Sequence, residues 1–209
     1  MEKILGFALI ASFVFMVAAL AMLVFKVLSF GKKEFYAAPA GDVKKGIIYA
    51  FGKGMLPWHK ESAGHHLPSY IAGIIYHLAI FLSLFYLSAS IISLRLPEVI
   101  TPVLGGFILL GLLAGLGLLF KRLLSSAMRA VSCPDDLAAN ILVDVFLALA
   151  ALHLVRLSPV HWLYLAATVM FLYIPLGKIR HCCFFFYVRI LFGIFYGRRN
   201  IFPEKPPIA

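Results

Sequence analysis

The chain has 209 residues, 63% of them hydrophobic and 13% charged, with a formal net charge of +10. Soluble domains carry about a quarter charged residues and about half apolar ones, so this composition excludes an ordinary soluble globule and points to a membrane protein. The positive balance does not signal nucleic acid, because the basic residues sit between apolar runs rather than on one amphipathic face.

Crossing the hydrocarbon of a bilayer takes about 20 apolar residues. Five runs qualify. The first is Ile4–Phe30, broken only by Lys26, which can snorkel to the nearby surface. It is too long for a cleavable signal peptide and lacks a small-residue cleavage site. Residues 31–69 follow, with Gly and Pro breaks, a surface helix expected over Val43–Phe51, and Pro57-Trp58-His59-Lys60. The second run is Tyr70–Leu94 and carries one ionisable residue, His77. The third, Thr101–Phe120, contains Gly105, Gly106, Gly111, Gly115 and Gly117, which predicts close helix approach. The fourth, Leu137–Val155, includes Asn140 and Asp144. The fifth begins near Val160 and is expected to reach at least Gly177, with Phe184–Tyr196 as an interfacial segment or its continuation. A sheet is not a rival, since unpaired strand edges cannot exist in lipid and no run alternates with period two.

The fold expected is therefore an all-α integral membrane bundle of five helices, one domain over residues 1–196 with a tail at 197–209. The excess of Lys and Arg in cytoplasmic loops orients such bundles. Lys26, Lys32, Lys33, Lys44, Lys45, Lys53, Lys60, Lys121, Arg122, Arg129, Lys178, Arg180, Arg189, Arg198, Arg199 and Lys205 fall on one side, against Lys3, Arg95 and Arg156 on the other. Five crossings with this bias put the N-terminus outside and the C-terminus in the cytoplasm. The outer loops, residues 95–100 and 156–159, are too short to form a domain, so a soluble partner is expected on the cytoplasmic face.

An ionisable side chain inside a membrane needs a partner. His77 lies about 12 Å inside its span at 1.5 Å per residue. It is read either as hydrogen-bonded to a neighbouring helix or as an axial ligand of haem iron. His181, at the expected cytoplasmic end of the fifth run, is the candidate second ligand. Each has a glycine four residues earlier, Gly73 and Gly177, on the same helix face, where a porphyrin edge could lie.

The stretch Tyr76-His77-Leu78-Ala79-Ile80-Phe81 resembles the first ligand region of the b-type cytochromes of the respiratory nitrate reductase gamma-subunit family. That family includes the membrane subunits of heterodisulfide reductase and of dissimilatory sulfite-reductase-linked complexes. Lys121-Arg122-Leu123, with Arg129 and Pro134-Asp135-Asp136, is similar to the family's basic-then-acidic loop. The stretch from Ile174 through Pro175, Gly177, Lys178 and Arg180 to His181 resembles its ending to the last span. The resemblance covers roughly residues 1–195 and implies a five-span cytochrome b. Family members hold two haems; here the positions implied for the second pair are Leu87 and Leu163. The resemblance therefore implies one haem b, on the cytoplasmic side, ligated by His77 and His181. A second haem would need His153 or His161 with another mate.

Arg122, Arg129 and Arg180, like Lys178, lie where the propionates of that haem would emerge. His66, with His59 and His65, precedes the second run and is read as a solvated interface residue or as part of a quinone or proton site. Asp144 is read as an interhelical hydrogen-bonding group or a proton relay to a quinone, and His161 as an interfacial residue or part of an outer quinone or proton site. Cys133, Cys182 and Cys183 form no CxxC or CxxCH, so neither a zinc knuckle nor covalent haem attachment is signalled. The expected function is that of a quinone-reactive membrane subunit of a respiratory complex in the inner membrane. It would exchange electrons between menaquinone or ubiquinone and iron–sulfur and catalytic subunits at the cytoplasmic face, with no nucleic-acid partner. The competing readings are a haem-free membrane anchor for a soluble oxidoreductase and, behind it, a transporter, for which no inverted repeat is visible.

Overall fold

The structure, a computed structural model, describes residues 2–31, 36, 38–60, 63–94 and 96–202. Lys32, Lys33, Arg95 and Lys205, counted above in the charge pattern, lie outside them, as does the end of the tail. The described residues form eight α-helices and no strand: α1 (Glu2–Ser29), α2 (Val43–Phe51), α3 (Leu67–Ile91), α4 (Ile100–Leu124), α5 (Ser126–Ala130), α6 (Pro134–Leu154), α7 (Val160–Tyr173) and α8 (His181–Arg198). Single 3-10 turns at Lys53–Met55, Pro57–His59, Gly64–His66 and Lys178–Arg180 join them.

Among the described residues five helical segments are long and apolar enough to cross a membrane: Glu2–Ser29, Gly64–Ile91, Ile100–Leu124, Pro134–Leu154 and Lys178–Arg198. The first four coincide with the first four predicted runs. The fifth predicted run does not form one helix. α7 stops at Tyr173, the backbone turns through residues 174–177, and α8 starts anew at His181. Pro175 is the cause, because it offers no N–H and its ring crowds the carbonyl one turn back. The N–H groups of Leu176 and Gly177 both donate to the Tyr173 carbonyl (3.0 and 2.9 Å), closing the turn. The helix expected over Val43–Phe51 forms, with the Asp42 carboxylate accepting from the N–H groups of Lys44 and Lys45 at its start (2.8 and 3.3 Å).

By contacts the chain divides into two bodies, Met1–Ala19 with Pro68–Ile179, and Leu20–Leu67 with Arg180–Ala209. In the first, α6 packs against α4 and α7. Its core holds Phe146, Leu147 and Ala150 from α6, Ile108 from α4, Ala79 and Leu87 from α3, and Leu163 and Ala167 from α7. Leu9 of α1 is buried, and Phe13 meets Phe171 edge to face at 5.5 Å. Large apolar side chains such as Ile74, Phe81, Phe85, Leu110 and Leu113 stay exposed, the pattern of helices whose outer faces meet lipid rather than water.

The predicted close approach within α4 is resolved residue by residue. A Cβ at Gly111 would run into the Ala79 side chain, and one at Gly115 into Tyr76 and Asp144. Gly106 and Gly117 face open space. Small residues four apart thus seat α3 against α4 where no hydrophobic force drives association in lipid.

The second body is built on the contact of α2 with α8. Gly193 and Gly197, four apart on α8, lie against the backbone of Ile47 and Gly46. The N–H groups of Ala40 and Gly41 both donate to the Arg198 carbonyl at 2.9 Å. The packing is backbone on backbone, which only glycine at these positions permits. Phe51 joins Phe185 and Phe186 around this contact, and Tyr49 stacks on Phe202 at 5.0 Å.

Candidate functional site

At one end of the first body, two cations from two elements converge on one carboxylate. Asp136 sits in the first turn of α6, where its Oδ2 accepts from the Cys133 N–H (3.0 Å). Its Oδ1 pairs with Lys178 Nζ (2.5 Å) and Arg122 Nη1 (3.4 Å). A negative charge in the first turn of a helix is stabilised by the helix dipole, and two cations reinforce it. Arg122 Nη1 also donates to the Ser132 hydroxyl at 3.0 Å. Beside this cluster the Tyr173 hydroxyl donates to Asp135, and Lys121 donates to the Ser69 hydroxyl. The start of α3, the end of α4, the start of α6 and the end of α7 are thereby tied together. Arg129 has a different task. Its Nη1 donates to the carbonyls of Leu123 and Leu124 (2.7 and 3.1 Å), closing the C-terminus of α4. Two of the arginines expected at a propionate are therefore engaged in holding helix ends, while Arg180 is exposed.

From Asp136 a polar line runs into the body along one face of α6. Asp136, Asn140 and Asp144 recur every fourth residue. Asp144 is only 5% exposed. Its Oδ2 accepts from Asn140 Nδ2 at 2.8 Å, and its Oδ1 is buried without a hydrogen-bonding partner. The Asn140 amide also reaches the Tyr76 hydroxyl (3.3 Å) and the Gly115 carbonyl (3.4 Å), and the Tyr76 hydroxyl donates to the Asn140 carbonyl (3.3 Å). Sequence reading singled out Asp144 and its neighbour Asn140. It missed Tyr76 as their partner from α3, and Asp136 as the outer end of the line. Two polar residues four apart in an apolar run, with a third four residues earlier at its edge, were the signal that could have found it.

His77 follows Tyr76 on α3 and is exposed. Its Nδ1 lies 2.7 Å from the Gly73 carbonyl oxygen. A carbonyl only accepts, so Nδ1 carries the proton and Nε2 is left as the basic nitrogen. This is the tautomer that suits coordination through Nε2, with the other nitrogen anchored to a backbone carbonyl. Gly73 has open space where a Cβ would be, whereas the corresponding space at Gly177 is filled by the Tyr173 ring. His181 begins α8 in the second body and is exposed, and His77 belongs to the first.

The remaining expected residues are dispersed. His66 ends the exposed turn Gly64–His66 of the second body. His161 and Trp162 line an apolar recess of about 360 Å³ with Ile4, Leu5 and Leu165. His153 Nδ1 donates to the Ser158 carbonyl (2.9 Å) and so holds the loop between α6 and α7. Leu87 and Leu163 are packed into the core, 2% and 0% exposed. Among the described residues no three of His, Cys, Asp and Glu group as metal ligands. In the second body, burial and the charge of Arg189 hold the Lys60 ammonium below its ordinary range.

The chain matches no protein-family model, no curated protein and no solved structure. No family is assigned. The resemblance stands on the short motifs around His77, between Lys121 and Asp136, and before His181.

Proposed function

We propose that the chain is the haem b-containing membrane subunit of a respiratory oxidoreductase complex in the inner, cytoplasmic membrane of a cell. It relays electrons between a quinone, menaquinone or ubiquinone, and an iron–sulfur partner subunit that docks with its catalytic subunits on the cytoplasmic face. The observation that supports this reading is the His77–Gly73 hydrogen bond, which anchors an exposed imidazole through Nδ1. His77 and His181 would hold the haem iron, Gly73 would leave room beside the first, and Arg180 would pair with one of the haem's carboxylates. Bound haem supplies one-electron chemistry, and the protein contributes ligation, orientation and a low dielectric. A single haem is proposed because the positions the resemblance implies for a second pair of ligands are Leu87 and Leu163, both packed in the core.

The test is spectroscopic. The full chain, purified in detergent, is expected to give a Soret band and one haem per chain in a pyridine haemochrome assay. His77→Ala and His181→Ala should each abolish the band while the chain stays in the membrane. Two haems per chain, or a band that survives His77→Ala, overturns the assignment.

A haem-free anchor that tethers a soluble oxidoreductase is the second reading. It is favoured by the Tyr173 ring in the space at Gly177, and by the engagement of Arg122 and Arg129 with helix ends. It expects no Soret band in any preparation.

A further inference from the structure

We infer that Asp144 is a proton-exchange site at the blind end of a polar ladder, Asp136–Asn140–Asp144, that opens at the N-terminal end of α6. The argument begins with the unsatisfied oxygen. A buried polar atom without a partner costs free energy, more so in a membrane interior, where water does not compensate. Asp144 Oδ1 is such an atom in a side chain 5% exposed. A carboxyl retained only to link helices would use both oxygens. Here Oδ2 takes the Asn140 amide, the Tyr76 hydroxyl stands within hydrogen-bonding reach of the carboxylate, and Oδ1 is left over.

The surroundings accommodate two charge states without repacking. Asn140 has two amide hydrogens and three acceptors in reach: Asp144 Oδ2, the Tyr76 hydroxyl and the Gly115 carbonyl. An ionised Asp144 takes the shortest of these bonds. When a proton sits on Asp144, the Asn140 hydrogens turn to Tyr76 and Gly115, and the carboxyl needs them less. The step is a proton transfer alone: an O–H bond forms on the Asp144 carboxylate as a hydronium or water at the Asp136 end loses one, and no electron moves. The titratable group facing Asp144 from α3 is Tyr76. α4 presents only the Gly115 backbone there, and on α6 the next titratable group outward is Asp136, held by Arg122 of α4 and Lys178 after α7.

On α6 the ladder ends at Asp144, because beyond it Phe146, Leu147 and Ala150 turn into the core, each 0% exposed, and on α3 the next buried polar atom, Ser83 Oγ, lies about two turns past Tyr76. Asp136 lies two turns back, about 12 Å at 1.5 Å per residue. The proton therefore enters and leaves from one end. In the electron-transfer reading, this carboxyl would supply a proton that quinone reduction consumes. That last clause rests on the proposed function; the exchange itself does not.

The test uses the full chain in phosphatidylglycerol–phosphatidylcholine vesicles. Infrared spectra in water and in D2O are expected to contain a protonated-carboxyl stretch that shifts down on deuteration. It should vanish in Asp144→Asn and return at an altered frequency in Asp144→Glu. Asn140→Leu should slow its deuteration. Dicyclohexylcarbodiimide, which reacts with protonated carboxyls in apolar surroundings, should modify Asp144 in the unmutated chain, as read by peptide mass, with less adduct as pH rises. This second measurement needs no variant to fold. An adduct absent at every pH, or a carboxyl band that persists in a folded Asp144→Asn, overturns the inference. Neither readout involves haem, so a missing Soret band with intact exchange sinks the proposed function and leaves this inference standing.

Discussion

Asp136 and Asp144 share a helix and a chemistry, and their neighbourhoods give them opposite tasks. Asp136 is surrounded by donors: the Cys133 N–H, Lys178 and Arg122. Asp136→Ala should cost about 2 kcal/mol through the lost charge-assisted bond to the backbone alone, and more through Lys178 and Arg122. Thermal unfolding in detergent is the measurement, with Lys178→Ala expected to lower the midpoint less, because Lys178 is half exposed. Asp144 and His77 were legible in the sequence because an ionisable residue inside an apolar run is costly and therefore conspicuous. Lys178 as the partner of Asp136 was not legible, since α6 and α7 must pack before the two meet. Gly177 shows the limit of local spacing. A glycine one turn before a histidine was read as room for a cofactor, but Tyr173, one turn further back, occupies that room. Spacing says where a gap opens; only packing says what fills it.

Helix positions followed from hydropathy in α1, α3, α4 and α6, whose runs hold no proline past the first turn. The fifth run failed because hydropathy is blind to Pro175, whose effect is on backbone bonding rather than on transfer energy. The glycines sort in the same way. Composition predicted close packing on α4 but could not say which glycines touch a neighbour. Gly111→Val should destabilise the α3–α4 contact by about 1–3 kcal/mol through overpacking against Ala79, while Gly106→Ala, facing open space, should leave the unfolding midpoint nearly unchanged. In the second body Gly193-Ile194-Phe195-Tyr196-Gly197 is a small-xxx-small pattern, a local signal of close helix approach. Gly193→Leu should part α8 from α2, because its side chain would meet the Ile47 backbone. Faster proteolysis between residues 31 and 66 in that variant, with α3 to α7 still protected, is the expected outcome.

For the molecule as a whole, length and packing name different helices for the fifth crossing: Lys178 on Asp136 and Tyr173 on Asp135 set the end of α7 beside the start of α6. α7 has 14 residues, about 21 Å of helix, short of the roughly 30 Å of hydrocarbon. Lys178–Arg198 has the length. Charge argues the other way. Lys178 and Arg180 stand before α8, Arg198 and Arg199 at its end, and Arg189 in its middle, over the rings of Phe185 and Phe192. If α8 crossed, one of its basic ends would be carried to the outer side, against the loop bias that orients membrane helices. If α7 crosses, completed by the apolar turn through Ile174, Pro175 and Leu176, every one of those cations stays on the side of Lys121, Arg122 and Arg129. Cysteine labelling with a membrane-impermeant maleimide separates the two. In a chain freed of its own cysteines, Ser158→Cys should react in intact cells. Leu176→Cys, at an exposed position, and Asn200→Cys should react only after lysis, as should a restored Cys133. Labelling of Leu176→Cys from outside would make α8 the fifth crossing and put His181 on the outer side. A haem ligated there could no longer sit at the cytoplasmic face, so the same experiment also bears on where a soluble electron partner can dock.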